Sequence, residues 1–264
     1  MTRTTLMAIA AAALAISGTA RAEVKTREIE YTQEGTVLQG FLAYDDAAKG
    51  KRPGILVVHE WWGNNDNARN AATKLAKAGY VGFALDMFGK GKVTTHPEDA
   101  KAFVAEAMKA PEVKKARFDA ALAVLKEQPQ VDAKRIGVIG YCFGGGVALD
   151  MARAGEDLKA LATFHGVLKP SGEPAKKGTF EPREVLVQTG GADPMVTKDQ
   201  VKALEQELKT AGVKVDVITY PGAKHGFTNP AADQAGMEGL AYDAKADRAS
   251  WDAMLKYMKR VLGK

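Results

Sequence analysis

Val138 to Asp150 reads V-I-G-Y-C-F-G-G-G-V-A-L-D. A hydrophobic strand runs into a glycine, a cysteine follows two residues later, and three glycines open a helical pattern. Gly140-Tyr141-Cys142-Phe143-Gly144 has the form G-x-nucleophile-x-G, with cysteine where serine is commoner. Such an elbow turns sharply from strand to helix and holds its central residue in a strained backbone conformation. Flanking glycines relieve the crowding that a Cβ would cause there. The side chain is pushed outward above a helix N-terminus, whose free N–H groups and partial positive charge favour thiolate over thiol. Cys142 is the only cysteine of the chain. It cannot form an internal disulfide, so it is either a small buried apolar residue or a reactive one. A dinucleotide cradle would need G-x-G-x-x-G, and Gly137, Gly140, Gly144, Gly145 and Gly146 do not supply that spacing.

A nucleophilic thiol wants a base. The histidines are His59, His96, His165 and His225. In elbow hydrolases an acid and then a histidine follow the nucleophile along the chain. His165 ends the strand directly after the elbow helix, with no strand-end acid before it. His225 lies in P-G-A-K-H-G-F after the last clear strand, a loop position suited to reaching across a site. Between them V-L-V-Q-T-G-G-A-D-P-M-V places Asp193 just past a buried strand, where an acid would orient the imidazole. A turn aspartate before proline looks the same in isolation. The ordered set of Cys142, Asp193 and His225, each after its own strand, is more specific than any member.

His59-Glu60-Trp61-Trp62-Gly63 ends the first buried strand. The corresponding loop of elbow hydrolases gives one oxyanion N–H, and the residue after the nucleophile gives the other. That nominates the backbone N–H groups of Trp61 and Phe143. Glu60 is expected in an apolar mouth, where desolvation raises a carboxyl pKa and allows proton exchange with the thiol; a solvated loop glutamate is the plainer reading. Trp61, Trp62, Phe88 and Phe227 could line an apolar acyl pocket, although aromatics near strand ends also serve as core.

The elements that must hold these residues alternate. Glu28–Thr32 and Thr36–Tyr44 read as an opening hairpin. Apolar runs at Gly54–His59, Val81–Leu85, Ile136–Ile139, Leu161–Phe164, Val185–Gln188 and Val215–Tyr220 read as strands, several of them buried on both faces. Helical patterns cover Ala68–Ala78, Ala100–Met108 and Lys114–Lys126, and Thr197-Lys198-Asp199-Gln200 fits a capping box with Gly212 as the stop. Trp251, Met254, Leu255, Met258 and Leu262 form one face of a last helix. This alternation implies a mostly parallel sheet covered by helices on both faces, with working groups at the carboxyl ends of its strands.

Arg3, the apolar run Leu6–Ile16 and Ala20-Arg21-Ala22 have the form of a secretory signal peptide cut after Ala22. That leaves one α/β domain over 23–264. The formal charge is +5, scattered without a block of like charges, which excludes the usual signatures of nucleic-acid or membrane-surface binding.

H-E-W-W-G at 59–63, D-M-F-G-K at 86–90, G-Y-C-F-G-G at 140–145, G-x-x-D at 190–193 and H-G-F at 225–227 together resemble the dienelactone hydrolase family, in family order across nearly the whole exported part. The resemblance implies an α/β-hydrolase fold, a Cys142–His225–Asp193 triad, and a Glu60 that holds the resting thiol and helps make the thiolate when substrate arrives. It also implies hydrolysis of lactones or small esters without cofactor or metal. The best-known members bind a substrate carboxylate with two arginines. Those positions hold Lys90 and Asn229 here: lysine keeps the charge without the bidentate fork, and asparagine loses it. Both remain substrate-binding candidates, while a strict need for an anionic substrate is not implied. The expected protein is thus an exported monomer acting on a small ester or lactone. Its rivals are a broad carboxylesterase with the same triad and a non-catalytic binding protein on the same scaffold. A thiol redox protein would want a C-x-x-C pair, which the chain lacks.

Overall fold

The computed structural model describes residues 23–263, so the expected leader at 1–22 lies outside the described residues. Eight strands form one sheet: β1 (Val24–Gln33), β2 (Thr36–Asp45), β3 (Arg52–Val58), β4 (Val81–Leu85), β5 (Val131–Tyr141), β6 (Ala160–Phe164), β7 (Glu184–Gly190) and β8 (Lys214–Tyr220). Their spatial order is β1-β2-β4-β3-β5-β6-β7-β8. The opening hairpin is antiparallel, and β2 pairs antiparallel with β4. Every pairing from β4 to β8 is parallel.

Six α-helices are described: α1 (Asp66–Lys77), α2 (Pro97–Ala107), α3 (Pro111–Lys126), α4 (Phe143–Arg153), α5 (Lys198–Ala211) and α6 (Ala244–Leu262). Side chains alternate across a strand, so Ile55 and Val57 of β3 face one layer while Leu56 and Val58 face the other. The first pair joins Leu75 of α1 and Met254 and Met258 of α6. The second joins Phe118 and Leu122 of α3, Val147 of α4 and Leu204 of α5. No helix of the described residues is long and apolar enough to cross a membrane.

Element ends moved for local reasons. The first helix starts at Asp66 rather than Ala68, because the Asn65 side chain accepts the Asn67 N–H at 3.1 Å and caps it. β5 reaches back to Val131 because that residue pairs with Arg52, ahead of an irregularity at Pro53/Gly54. Thr197 and Gln200 do form a reciprocal capping box, and Gly212 ends α5 in the left-handed conformation at φ 77°. Trp251 is only half-buried in α6, with the Lys74 ammonium 4.1 Å above its ring.

Candidate active site

Cys142 stands between β5 and α4 with φ 50° and ψ −117°, a strained conformation for a residue with a Cβ. Its glycine neighbours are required by contact. A Cβ on Gly140 would lie 2.2 Å from the Gly144 carbonyl oxygen, and one on Gly144 would lie 2.3 Å from that of Val58. The elbow therefore closes on itself at Gly140 and fits against the end of β3 at Gly144 only without side chains there. Cys142 is half-buried, with the chain's first-turn amides of α4 next to it. The Phe143 N–H is among the groups that a helix start leaves unpaired. The Trp61 N–H makes no backbone hydrogen bond among the described residues either.

His225 is buried at 4 % exposure, and its Nδ1 lies 2.9 Å from Asp193 Oδ2. Asp193 is held in turn: its Oδ1 accepts the N–H groups of Met195 at 2.7 Å and Val196 at 3.0 Å. The carboxylate thus orients the ring, so that Nδ1 donates and Nε2 is left free. Nε2 has no partner of hydrogen-bond geometry, yet Cys142 is near enough for its charge to act on the ring. Burial alone would lower the imidazole pKa. The neighbouring Cys142 sulfur and the hydrogen-bonded Asp193 carboxylate outweigh it and hold the ring well above its ordinary value.

Glu60 is 5 % exposed, which is unusual for a carboxylate. Burial pushes its pKa up to about 7 against the opposing pull of Asn229, His225 and Asn67. Its Oε2 accepts Asn229 Nδ2 at 2.5 Å and Asn67 Nδ2 at 3.3 Å. Both donors are neutral amides, so they tether the carboxylate without the stabilisation a cation would give its charged form. Beneath it, Met87 N–H donates to His59 Nε2 at 3.1 Å. His59 Nδ1 therefore carries the proton and donates to the Glu60 carbonyl at 2.5 Å. Complete burial lowers the His59 pKa and keeps it a neutral strut.

The other expected site residues take varied places. Lys90 is exposed, its ammonium paired with Glu30 of the hairpin at 2.6 Å rather than offered to a substrate. Asn229 is 4 % exposed and bound to Glu60, a role the sequence did not disclose. Phe227 is fully buried between His165 and Tyr220. Phe88 is 1 % exposed and wedged between His59, Phe103 and Phe143. Both are core, because apolar rings at strand ends gain more from burial than from lining a wet mouth. Trp62, also buried, joins Ala100, Ala232 and Leu240, and Trp61 lies half-buried against it at 4.7 Å. Sequence reasoning missed Asn67, for which the run Asn64-Asn65-Asp66-Asn67 was the one local signal. A cleft of about 450 Å³ beside the Glu60 tether is lined mainly by the amides of Asn64, Asn65, Asn67, Asn70 and Asn229, with the carboxylate of Asp66 among them. Its one cation, Arg69, is already paired with Glu28 at 2.8 Å.

The dienelactone hydrolase family matches residues 38–262. The chain is 34% identical to the crystal structure of a dienelactone hydrolase-like promiscuous phosphotriesterase from metagenomic libraries, covering 92% of this chain and 100% of that one with a TM-score of 0.85. To m3DLH it is 39% identical, over 90% and 99% of the two chains, again with a TM-score of 0.85. An Aquifex aeolicus protein named "Putative carboxymethylenebutenolidase" is 28% identical over 240 residues, 89% of this chain and 98% of its own. A family match over most of the chain, carried on an eight-stranded sheet of this order, makes the protein a member of the dienelactone hydrolase family with an α/β-hydrolase fold.

Proposed function

We propose that this hydrolase cleaves small carboxylic esters or lactones by acyl transfer through Cys142. One observation carries the reading: a strained, half-buried cysteine at a strand-to-helix elbow beside an imidazole that a buried carboxylate orients. The Cys142 sulfur attacks the carbonyl carbon and its proton passes to His225, directly or by way of Glu60, whose raised pKa suits it to take up and return protons near neutrality. The N–H groups of Trp61 and Phe143 receive the oxyanion, and one such donor is typically worth about 3 kcal/mol of barrier. The intermediate expels the alkoxide or enolate, protonated by His225. Water activated by the same imidazole then hydrolyses the thioester and frees the thiol. Amides are poor substrates, because thiolate leaves the intermediate more readily than an unprotonated amine.

The amide-lined cleft and the outward pairing of Lys90 favour substrates whose non-reacting end is neutral and polar over dicarboxylates. A phosphotriester belongs in the same substrate panel, since a relative 34% identical is described as a promiscuous phosphotriesterase. We also propose that the mature enzyme is an exported monomer beginning at Glu23.

The test is hydrolysis of p-nitrophenyl esters, lactones, a monoanionic ester and a phosphotriester by the wild type and three variants. Cys142→Ala and His225→Ala are expected to lower kcat/KM by about 10³-fold or more. Asp193→Asn is expected to lose less, because it removes the orienting charge and leaves both reacting groups. Full turnover by Cys142→Ala would overturn the assignment.

A further inference from the structure

His165 lies outside the proposed triad, yet its surroundings are built around it. It is fully buried and follows β6 with φ 40°, sharing with Glu34 and Cys142 the positive φ that non-glycine residues rarely adopt. Its N–H donates to the Gln188 carbonyl of β7 at 2.8 Å. The residues on either side hold the nucleophile by its backbone: Phe164 O accepts the Cys142 N–H at 3.1 Å, and Val167 N–H donates to Cys142 O at 3.0 Å. Gly166 sits against the first turn of α4, where a Cβ on Gly145 would come within 2.6 Å of the Gly166 Cα.

The His165 ring reaches the base instead. Its Nε2 lies 2.9 Å from Thr228 Oγ1, on the same loop as His225. Its centroid is 4.9 Å from that of His225, in an edge-to-face arrangement at 65°. Its Nδ1 is buried without a hydrogen-bond partner. Phenylalanine would fill this volume with no unsatisfied nitrogen, so core packing alone does not account for an imidazole here. Burial, and then the charge of His225, hold the His165 pKa well below its ordinary value, so it meets its neighbour as a neutral ring.

Given the Cys142–His225 chemistry proposed for this site, we propose that His165 is a positioning residue: through its hydrogen bond to Thr228 and its edge-to-face contact it fixes the His225 imidazole relative to the elbow that the same segment grips by its backbone. The nucleophile and the base come from loops far apart in sequence, and 164–167 is the short segment touching both. A small tilt of the base out of line with the thiol is costly, since misplacement by about 1 Å can lower a rate by about 100-fold.

Thr228→Val removes the hydroxyl and keeps the shape, Thr228→Ser keeps the hydroxyl, and His165→Phe keeps the ring alone. All are compared with wild type and Cys142→Ala for kcat, KM, the pH profile of kcat and melting temperature. Thr228→Val and His165→Phe are expected to lower kcat by about 10- to 100-fold with KM within about twofold of wild type, and to shift the pH profile. Thr228→Ser is expected to retain wild-type turnover. If His165→Phe does not fold, Thr228→Val decides. Unchanged kcat and pH profile in Thr228→Val, or equal losses in Thr228→Ser and Thr228→Val, would overturn the role of His165 while leaving the triad standing. Undiminished turnover in Cys142→Ala would remove the triad, and the brace with it.

Discussion

Two neutral amides, from Asn229 and Asn67, meet the Glu60 carboxylate, and burial leaves its pKa near 7 against an ordinary 4.5. The folded protein binds this proton more tightly than the unfolded chain does. Its contribution to stability is therefore complete below about pH 4.5 and is lost as pH rises through 7. By about pH 8 the ionised form costs on the order of 3 kcal/mol relative to a group with no shift. Glu60→Gln keeps an oxygen acceptor for both amides and removes the titration. The variant is expected to be more stable than wild type by up to that amount at about pH 8, to match it near pH 4, and to turn over more slowly. Urea unfolding of both proteins across that range is the measurement, and parallel stability curves would show that Glu60 titrates as an ordinary carboxyl. The buried Glu60 carboxylate thus trades stability for a proton held near neutrality, as the proposed role requires.

At the scale of elements, the elbow works because β3 and the start of α4 touch backbone to backbone. Gly144 makes that approach possible, and its prospective Cβ meets main-chain oxygen rather than a flexible side-chain tip. Gly144→Ala cannot be absorbed by a rotamer change. It must push α4 away from β3, and with it the Phe143 N–H and the Cys142 sulfur. Turnover is expected to fall by about 100-fold. Kinetics alongside a thermal melt checks this, and a folded Gly144→Ala enzyme with wild-type kcat would show that the elbow tolerates displacement. The loop after β7 has its own support: the Asp193 carboxylate closes an Asx turn on Met195 and Val196 just ahead of the Thr197 cap of α5, so the acid is rigid on the side away from His225.

Over the whole molecule, one group of charged side chains taken out of water is matched by opposite charge. Lys114 of α3 meets Asp150 of α4 at 2.5 Å, Arg153 meets Asp150 at 3.0 Å, and Arg153 also meets Glu207 of α5 at 2.7 Å. This buried network ties together the three helices on the elbow side of the sheet, and removing one partner from such a network typically costs about 3–5 kcal/mol. The export we propose would place the lone thiol in an oxidising compartment, where the chain has no second cysteine to trap it. Expression of the full chain in a bacterial host is expected to yield a periplasmic protein whose N-terminal sequence begins Glu23-Val24-Lys25. Recovery of the uncut chain from the cytoplasm would remove the leader reading.

Local pattern carried much of this protein. The alternating and buried apolar runs, the G-x-C-x-G turn, the Thr197 capping box, and the chain order of Cys142, Asp193 and His225 are properties of short segments, and the fold brings those three residues to one end of the sheet. Tertiary structure alone decided the contacts between loops. Asn229 meets Glu60 across 169 residues of sequence, and Thr228 meets His165 across 63. Lys90 turns to the hairpin because Glu30 lies there on β1, and Phe88 and Phe227 sink into the interior. Each of these outcomes follows from which strands are neighbours in the order β1-β2-β4-β3-β5-β6-β7-β8 and from which side chains lose most by staying wet, and no window of adjacent residues encodes either.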